Sequence, residues 1–351
     1  MNYKIKIIFI VFILLSCDNK ENKNYNSPRI KSKLKIDSPN YNEVFKKGDS
    51  INIKVTSNSQ TNKIIESILY IENDTTKFLS RLNISSNELT RYGRHNFSII
   101  SKFDDGSTEK INKSFLLYPK SKPTEKNYTI VKILPHDQNT YTQGLLIDQK
   151  DFLESSGQYG KSYIRRINSE TGKVINEKKI DENLFAEGIT TYGNKLYMLS
   201  WKSNKGIILN KNNFKIIGEI KYNTEGWGLT TYKDNLIMSD GTEKLYFRDP
   251  NTFNIKKIIE VYDHNGKVEN INELESINGK IYCNIYAKDI ILIIDPETGL
   301  VESRINLNNL FKRENYNDKI DVLNGIAYNK DNNSIIVTGK WWPSMYELKI
   351  N

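Results

Sequence analysis

Cysteine and histidine are nearly absent. The chain has two cysteines, Cys17 and Cys283, and three histidines, His95, His136 and His264, in 351 residues. No spacing of His or Cys matches a catalytic metal site, so no metal is assigned. One cysteine beyond Cys17 leaves no intramolecular disulfide if Cys17 is modified, and the fold must stand on its core. Cys283 lies inside the strand-like run Lys280–Ile285 and reads as a buried small side chain rather than a nucleophile. Long apolar runs are also missing. The longest, Ile7–Leu15, is far short of the roughly 20 residues that span a bilayer. The net charge of +9 comes from lysines scattered among Asn and Ile, with no basic block or stripe, which argues against nucleic-acid binding.

The first residues, MNYKIKIIFIVFILLSC, have a basic start, an apolar stretch and a small residue before Cys17, and read as a secretory signal. Leu14-Leu15-Ser16-Cys17 resembles a bacterial lipobox. It implies residues 1–17 as a lipoprotein signal with lipid on Cys17, and an extracytoplasmic, membrane-anchored protein of a bacterial cell envelope. Residues 18–30 are polar and aperiodic, a tether. Residues 31–118 carry short runs such as Ser50–Val55, Ile68–Ile71 and Asn96–Ile100 between turn residues, the pattern of a small antiparallel β-sandwich. The stretch Tyr92–Phe97 with Asp104-Asp105-Gly106 resembles the last hairpin of immunoglobulin-like modules; His95 reads as a strand-edge residue without a partner. Residues 119–127, PKSKPTEKN, read as a polar linker.

After the linker one unit repeats five times. Each copy opens on a polar residue, a glycine or its equivalent and apolar residues: Gln143-Gly144-Leu145, Glu187-Gly188-Ile189, Trp227-Gly228-Leu229, Glu275-Ser276-Ile277 and Asn324-Gly325-Ile326. Starts about 40 to 50 residues apart, with short strands in each unit, fit β-propeller blades. The last copy is one strand short, and the run Tyr128–Leu134 can supply it. The fold class expected is all-β: a five-bladed β-propeller over 128–351, preceded by a small immunoglobulin-like sandwich.

Strand starts and the turns after second strands fall on one face of a propeller, so the residues there converge. The first set comprises Gln143, Glu187, Trp227 with Glu225, Asn272 with Glu273 and Glu275, and Asn324. The second comprises Ser155, Ser156, Trp201, Asp240, Asn284, Tyr286 and Lys340 with Trp341 and Trp342. All four tryptophans fall in these sets, which predicts an aromatic pocket with carboxylate, amide and ammonium groups.

Eight strings in order carry a resemblance: Leu134–Asp137 with Tyr141–Leu145, Phe185–Thr190, Leu199–Trp201, Glu225–Thr230, Ser239–Thr242, Asn272–Glu275, Leu323–Ala327 and Thr338–Pro343. Together they resemble the plant-type glutaminyl-peptide cyclotransferases over about residues 128–351. The resemblance implies a five-bladed propeller that converts an N-terminal glutamine of a peptide or protein to pyroglutamate with release of ammonia. It also implies an enzyme without zinc; no cofactor is expected, with a structural calcium left open, and the chain is expected to be a monomer. Glu187 is implied as the proton-transfer carboxylate, with Gln143, Trp201, Trp227, Asn272 and Lys340 around the substrate. Lys340 and Asn272 are expected to meet the γ-carbonyl as it gains charge; Glu273 and Tyr286 are expected at the substrate as well. Ala186 stands where the family usually has glycine, and Tyr286 where it often has tryptophan. The rival reading is a non-catalytic, lipid-anchored propeller that binds peptides or glycans.

Overall fold

The computed structural model describes residues 32–313 and 319–351. The Cys17 lipobox and all of the 18–30 tether lie outside them. Among the described residues no α-helix occurs, and no helix is long and apolar enough to cross a membrane.

The N-terminal part folds as two facing sheets. One has the order Leu34–Ser38, Ser50–Ser57, Arg81–Ser85; the other has five strands, Glu43–Lys46, Thr108–Tyr118, Gly93–Phe103, Ile64–Ile71 and Asp74–Phe78. Strict alternation builds the core between them. In SINIKVTS every second residue, Ile51, Ile53 and Val55, points inward to meet Leu69, Phe97, Ile99 and Phe115 of the opposite sheet. His95 does not sit at an unpartnered strand edge. It is buried and stacked on Phe115 at 5.3 Å, with Nε2 3.1 Å from the Arg91 carbonyl, because the same alternation points it inward.

The rest of the described chain forms five larger sheets, here I to V, and one two-stranded ribbon, Tyr262–Asp263 with Gly266–Lys267. Sheet I is Thr142–Asp148, Asp151–Ser156, Tyr163–Asn168, Val174–Lys179. Sheet II is Ala186–Tyr192, Lys195–Ser200, Lys205–Asn210, Ile216–Lys221, and sheet III is Leu229–Tyr232, Asn235–Ser239, Lys244–Arg248, Ile255–Glu260. Sheet IV is Ile271–Ile277, Lys280–Ile285, Ile290–Ile294, Val301–Asn306. Sheet V joins Leu323–Asn329, Ser334–Gly339 and Ser344–Ile350 to the early strand Tyr128–Pro135, so the two ends of this region share one sheet.

The linker is partly structured. Thr124–Lys126 adds a parallel fifth strand to sheet IV, held by backbone pairing, by Thr124 Oγ1 to Ser303 Oγ at 2.7 Å, and by a Glu125–Arg304 ion pair. Its polar side chains hide a strand that needs only backbone groups to pair.

The first strands of the sheets lie against one another in cyclic order, I to V and back to I. Glycine makes this approach feasible. A Cβ on Gly188 would lie 2.5 Å from the Trp227 carbonyl oxygen, and one on Gly228 would lie 2.0 Å from that of Asn272. The third-to-fourth strand turns repeat one chemistry: Asn168, Asn210, Asp249 and Asp295 each accept two following backbone N–H groups with a side-chain oxygen.

Polar side chains tie the first strands together. The fully buried Glu273 carboxylate accepts Leu145 N–H of sheet I at 3.3 Å and Ile326 N–H of sheet V at 2.9 Å. Glu275 accepts Tyr328 N–H at 3.1 Å, and Asn324 Nδ2 donates to the Thr142 carbonyl at 2.9 Å. Burial pushes the Glu275 carboxyl up to about 8, against the pull of its donors. A carboxyl whose folded pKa is raised binds a proton the unfolded chain has released. Its contribution is therefore fully present below the unfolded value, about 4.3, and is lost as pH rises through about 8. Melting temperature should therefore fall between pH 5.5 and 8.5, and Glu275→Gln should flatten that slope by a few degrees, since Glu275 as a residue is only partly buried. An unchanged slope would refute the assignment.

A second buried pair closes sheet V onto sheet I. His136 donates Nδ1–H to the Trp342 carbonyl at 2.6 Å, and its Nε2 lies 2.9 Å from Glu154 Oε1. Burial disfavours the imidazolium, but the Glu154 carboxylate and the Trp342 carbonyl outweigh it and raise its pKa. This seam anchors the loop that follows Gly339.

Candidate active site

The starts of the first strands and the ends of the second strands supply one cavity of about 230 Å³. Tyr141 and Gln143 come from the start of sheet I and Gln158 from beyond its second strand. Phe185 and Glu187 flank the start of sheet II, and Trp201 follows its second strand. Trp227 precedes sheet III, Asn272 begins sheet IV, Tyr286 follows its second strand, and Lys340 follows the second strand of sheet V. Strand pairing slips at Thr142/Gly144, Ala186/Ile189 and Ile271/Leu274, which is where Gln143, Glu187 and Asn272 lie. Such bulges re-aim a side chain out of its alternating register, here into the cavity.

Glu187 and Lys340 dominate the electrostatics. They are 5% and 4% exposed, and no hydrogen bond contributes to the state of either charged group. Burial pushes the Glu187 carboxyl well above the usual range; the Lys340 ammonium pulls it back and the Glu225 carboxylate adds to the rise. Burial lowers Lys340, opposed by the Glu187 and Asp321 carboxylates. The two groups are thus drawn toward each other in proton affinity, as a proton-transfer site requires. The ammonium lies 4.7 Å from the centre of the Tyr141 ring and 5.4 Å from that of Tyr286, so aromatic faces replace part of its hydration.

The aromatic walls are held from behind. Glu225 Oε2 accepts both indole N–H groups, from Trp201 at 2.8 Å and Trp227 at 2.9 Å. Phe185 packs edge-on against Trp201 at 5.5 Å, and Tyr286 edge-on against Trp227 at 5.8 Å. Tyr286, though 40% exposed, thus still furnishes a wall, while Ala186 is fully buried beside Glu187. Tyr141 donates to Asp321 at 3.0 Å, and Asp321 in turn donates its backbone N–H to the Lys340 carbonyl at 3.0 Å.

Glu225 is a positioning residue, because one oxygen orients two indoles. Glu225→Ala should cut kcat/KM for the reacting substrate by roughly ten- to a hundredfold through misplacement. Glu225→Gln, which keeps an accepting oxygen, should recover most of it. The Gln variant should also shift the acid limb of the pH profile to lower pH, because Glu225 raises the Glu187 pKa. Equal losses in both variants would contradict the assignment.

Gln143, Glu187, Trp201, Trp227, Asn272, Tyr286 and Lys340 therefore meet in one cavity. Glu273 does not line it; its carboxylate is committed to Leu145 and Ile326. Nor do all four tryptophans. Trp341 packs behind Tyr141 at 4.5 Å, while Trp342 is 1% exposed, stacked on Phe311 at 4.3 Å, and donates to the Asp321 carbonyl at 2.9 Å. The sequence reading assigned no role to Tyr141, Phe185 or Gln158. Tyr141 and Phe185 each stand two residues before a predicted pocket residue, Gln143 and Glu187, which is a usable signal on a bulged strand start. Asp240 accepts from Tyr246 at 2.8 Å, and Asn284 from Gly325 N–H at 3.0 Å, both structural uses. Among the described residues no cluster of three or more His, Cys, Asp or Glu side chains is arranged to hold a metal ion.

The sequence pattern of the glutamine cyclotransferase family matches residues 105–350, beginning in the turn between the last two strands of the N-terminal part. Over 228 residues the chain is 39% identical to the glutaminyl-peptide cyclotransferase of Arabidopsis thaliana, an alignment covering 63% of this chain and 70% of that protein. The crystal structure of Myxococcus xanthus glutaminyl cyclase matches at 33% identity with a TM-score of 0.61, covering 66% of this chain and 99% of that one. With a match over most of its length and a site built from the residues that carry the resemblance, the chain belongs to the glutamine cyclotransferase family.

Proposed function

We propose that the chain cyclises the N-terminal glutamine of peptides or proteins to pyroglutamate, with Glu187 moving the proton. The observation that carries this reading is the buried carboxylate and ammonium, neither hydrogen-bonded, facing one aromatic cavity. The nucleophile belongs to the substrate, so the scarcity of Ser-His-Asp or Cys-His arrangements is no obstacle.

The substrate's α-amine attacks the carbonyl carbon of its own side-chain amide, forming the ring C–N bond. Glu187 accepts a proton from that amine. The amide oxygen becomes an oxyanion, met by the Lys340 ammonium and the Asn272 amide N–H. Glu187 then returns the proton to the leaving nitrogen, the old C–N bond breaks, ammonia departs and the carboxylate is restored. Trp201, Trp227 and Tyr286 hold the side chain folded toward the amine and exclude water, while Gln143 offers a polar contact. Glu273 contributes through the strands it ties. The reaction needs no redox group, and no metal is assigned a step.

Ammonia release from a glutaminyl peptide and from its N-acetylated twin tests this. Release from the free peptide alone supports cyclisation, because an acetylated amine cannot attack. Release from both would indicate amide hydrolysis, and release from neither would favour a peptide-binding module.

At a finer level, the five sheets are read as the blades of a five-bladed β-propeller over 128–351, supported by the cyclic contact of their first strands and the shared sheet V. The two facing sheets within 31–118 are read as an immunoglobulin-like module, with 119–127 joining the two. Residues 1–17 would place lipid on Cys17 and residues 18–30 would tether a monomeric enzyme outside the bacterial cytoplasm. Loss of the protein from membranes on Cys17→Ser would support the anchor, and retention would remove it.

A further inference from the structure

The ladder between the second and third strands of sheet II stops early. Its last rung is Met198 with Ile207, although the two strands extend to Ser200 and from Lys205. In sheet I the corresponding rung, Ser156 with Tyr163, is made. In sheet II a side chain stands in its place.

That side chain is Tyr222, one residue beyond the fourth strand of the same sheet. Its hydroxyl accepts the Ser200 N–H at 2.8 Å, donates to the Ser200 carbonyl at 2.7 Å, and lies 2.9 Å from the Lys205 carbonyl. Tyr222 is buried, and burial pushes its phenol up to about 12, so the hydroxyl keeps its proton through the neutral range.

The hydroxyl touches both stretches of backbone that carry the indoles of the cavity wall. Ser200 directly precedes Trp201. On the other side, a Cβ on Gly226, between Glu225 and Trp227, would lie 2.6 Å from the Tyr222 oxygen, and the Gly226 N–H donates to the Trp201 carbonyl at 2.9 Å. Trp201, past the end of the ladder, donates its own N–H to the Phe185 carbonyl at 3.1 Å. Tyr222 itself does not line the cavity.

We propose that Tyr222 is a positioning residue of the cyclisation site, whose hydroxyl replaces a backbone rung and so fixes where Trp201 and Trp227 stand. This rests on the cyclase reading. Glu225 orients the two indoles at their N–H groups, and Tyr222 orients the backbone from which they project. The same two rings hold the substrate side chain folded toward its amine, so loss of the hydroxyl acts on ring closure more than on binding.

The test is a double-mutant cycle of Tyr222→Phe and Glu225→Ala on a glutaminyl peptide, with Tyr197→Phe as the control. Tyr197 is fully buried, does not line the cavity, and donates its hydroxyl to the Pro250 carbonyl at 2.7 Å. Each Tyr→Phe change removes one buried hydroxyl and should lower Tm by a few degrees while the protein stays folded. Only Tyr222→Phe should lower kcat/KM, by about tenfold and mainly through kcat. The acid limb of the pH profile should stay in place, because Tyr222 is not among the groups that shift Glu187. Combined with Glu225→Ala, the loss should be smaller than the product of the two single losses, since both residues hold the same indoles. Full kcat/KM in Tyr222→Phe, an equal loss in Tyr197→Phe, or losses that simply multiply would overturn the positioning role and leave cyclisation standing. An unaltered chain that releases no ammonia would overturn the cyclase reading and this inference with it.

Discussion

Glu187→Gln lowers kcat for glutaminyl peptides by about a hundred- to ten-thousandfold, the contribution of a well-placed acid-base group. The substitution keeps the side chain's shape and removes only its ability to take and return a proton. Because burial disfavours the Glu187 carboxylate, the Gln side chain suits the site at least as well, and the melting temperature should not fall. In the unaltered enzyme, activity should decline on the acid side well above the usual carboxylate range, since Glu187 must lose its proton to accept one from the amine. That limb should be missing from the residual activity of the variant. A folded Glu187→Gln protein with most of its rate would exclude Glu187 from proton transfer.

Lys340→Met has the second large effect, about a hundred- to a thousandfold in kcat, the scale for losing one donor to a developing oxyanion. The Met side chain fills a similar volume, so the Tyr141 and Tyr286 rings keep a neighbour. One further sign separates this from simple disruption. Removing the positive charge that pulls Glu187 down should move the acid limb to higher pH. An acid limb shifted the other way would contradict the pairing.

How legible these features were in the sequence varied with the kind of interaction. Glu187, Trp201, Trp227, Asn272 and Lys340 were findable because repeats fix phase: equivalent positions in successive sheets point to one place. The strand Tyr128–Pro135 was findable for a related reason, since the last repeat lacked a strand.

Where expectation and structure part, local pattern carried no sign of the partner. Trp342 follows Lys340 and Trp341 closely, yet it turns into the core against Phe311, just over thirty positions earlier in the chain. Glu273 neighbours Asn272 but points between sheets, because consecutive strand residues face opposite ways and two backbone N–H groups were waiting there. Thr124–Lys126 pairs through its backbone alone, so its polar residues read as linker. His95 was read as a strand-edge residue, whereas alternation along a central strand decides its burial. Glu225 was visible beside Trp227, but that one carboxylate oxygen serves two indoles depends on sheets II and III meeting in space.

The account's central claim is cyclisation by this chain's own residues, and mass spectrometry tests it most directly. A glutaminyl peptide is incubated with residues 31–351, with and without EDTA, and followed for loss of one ammonia. The account predicts enzyme-dependent loss at equal rates in both samples, slowed about a hundredfold or more in Glu187→Gln. A folded protein that leaves several such peptides intact would contradict it.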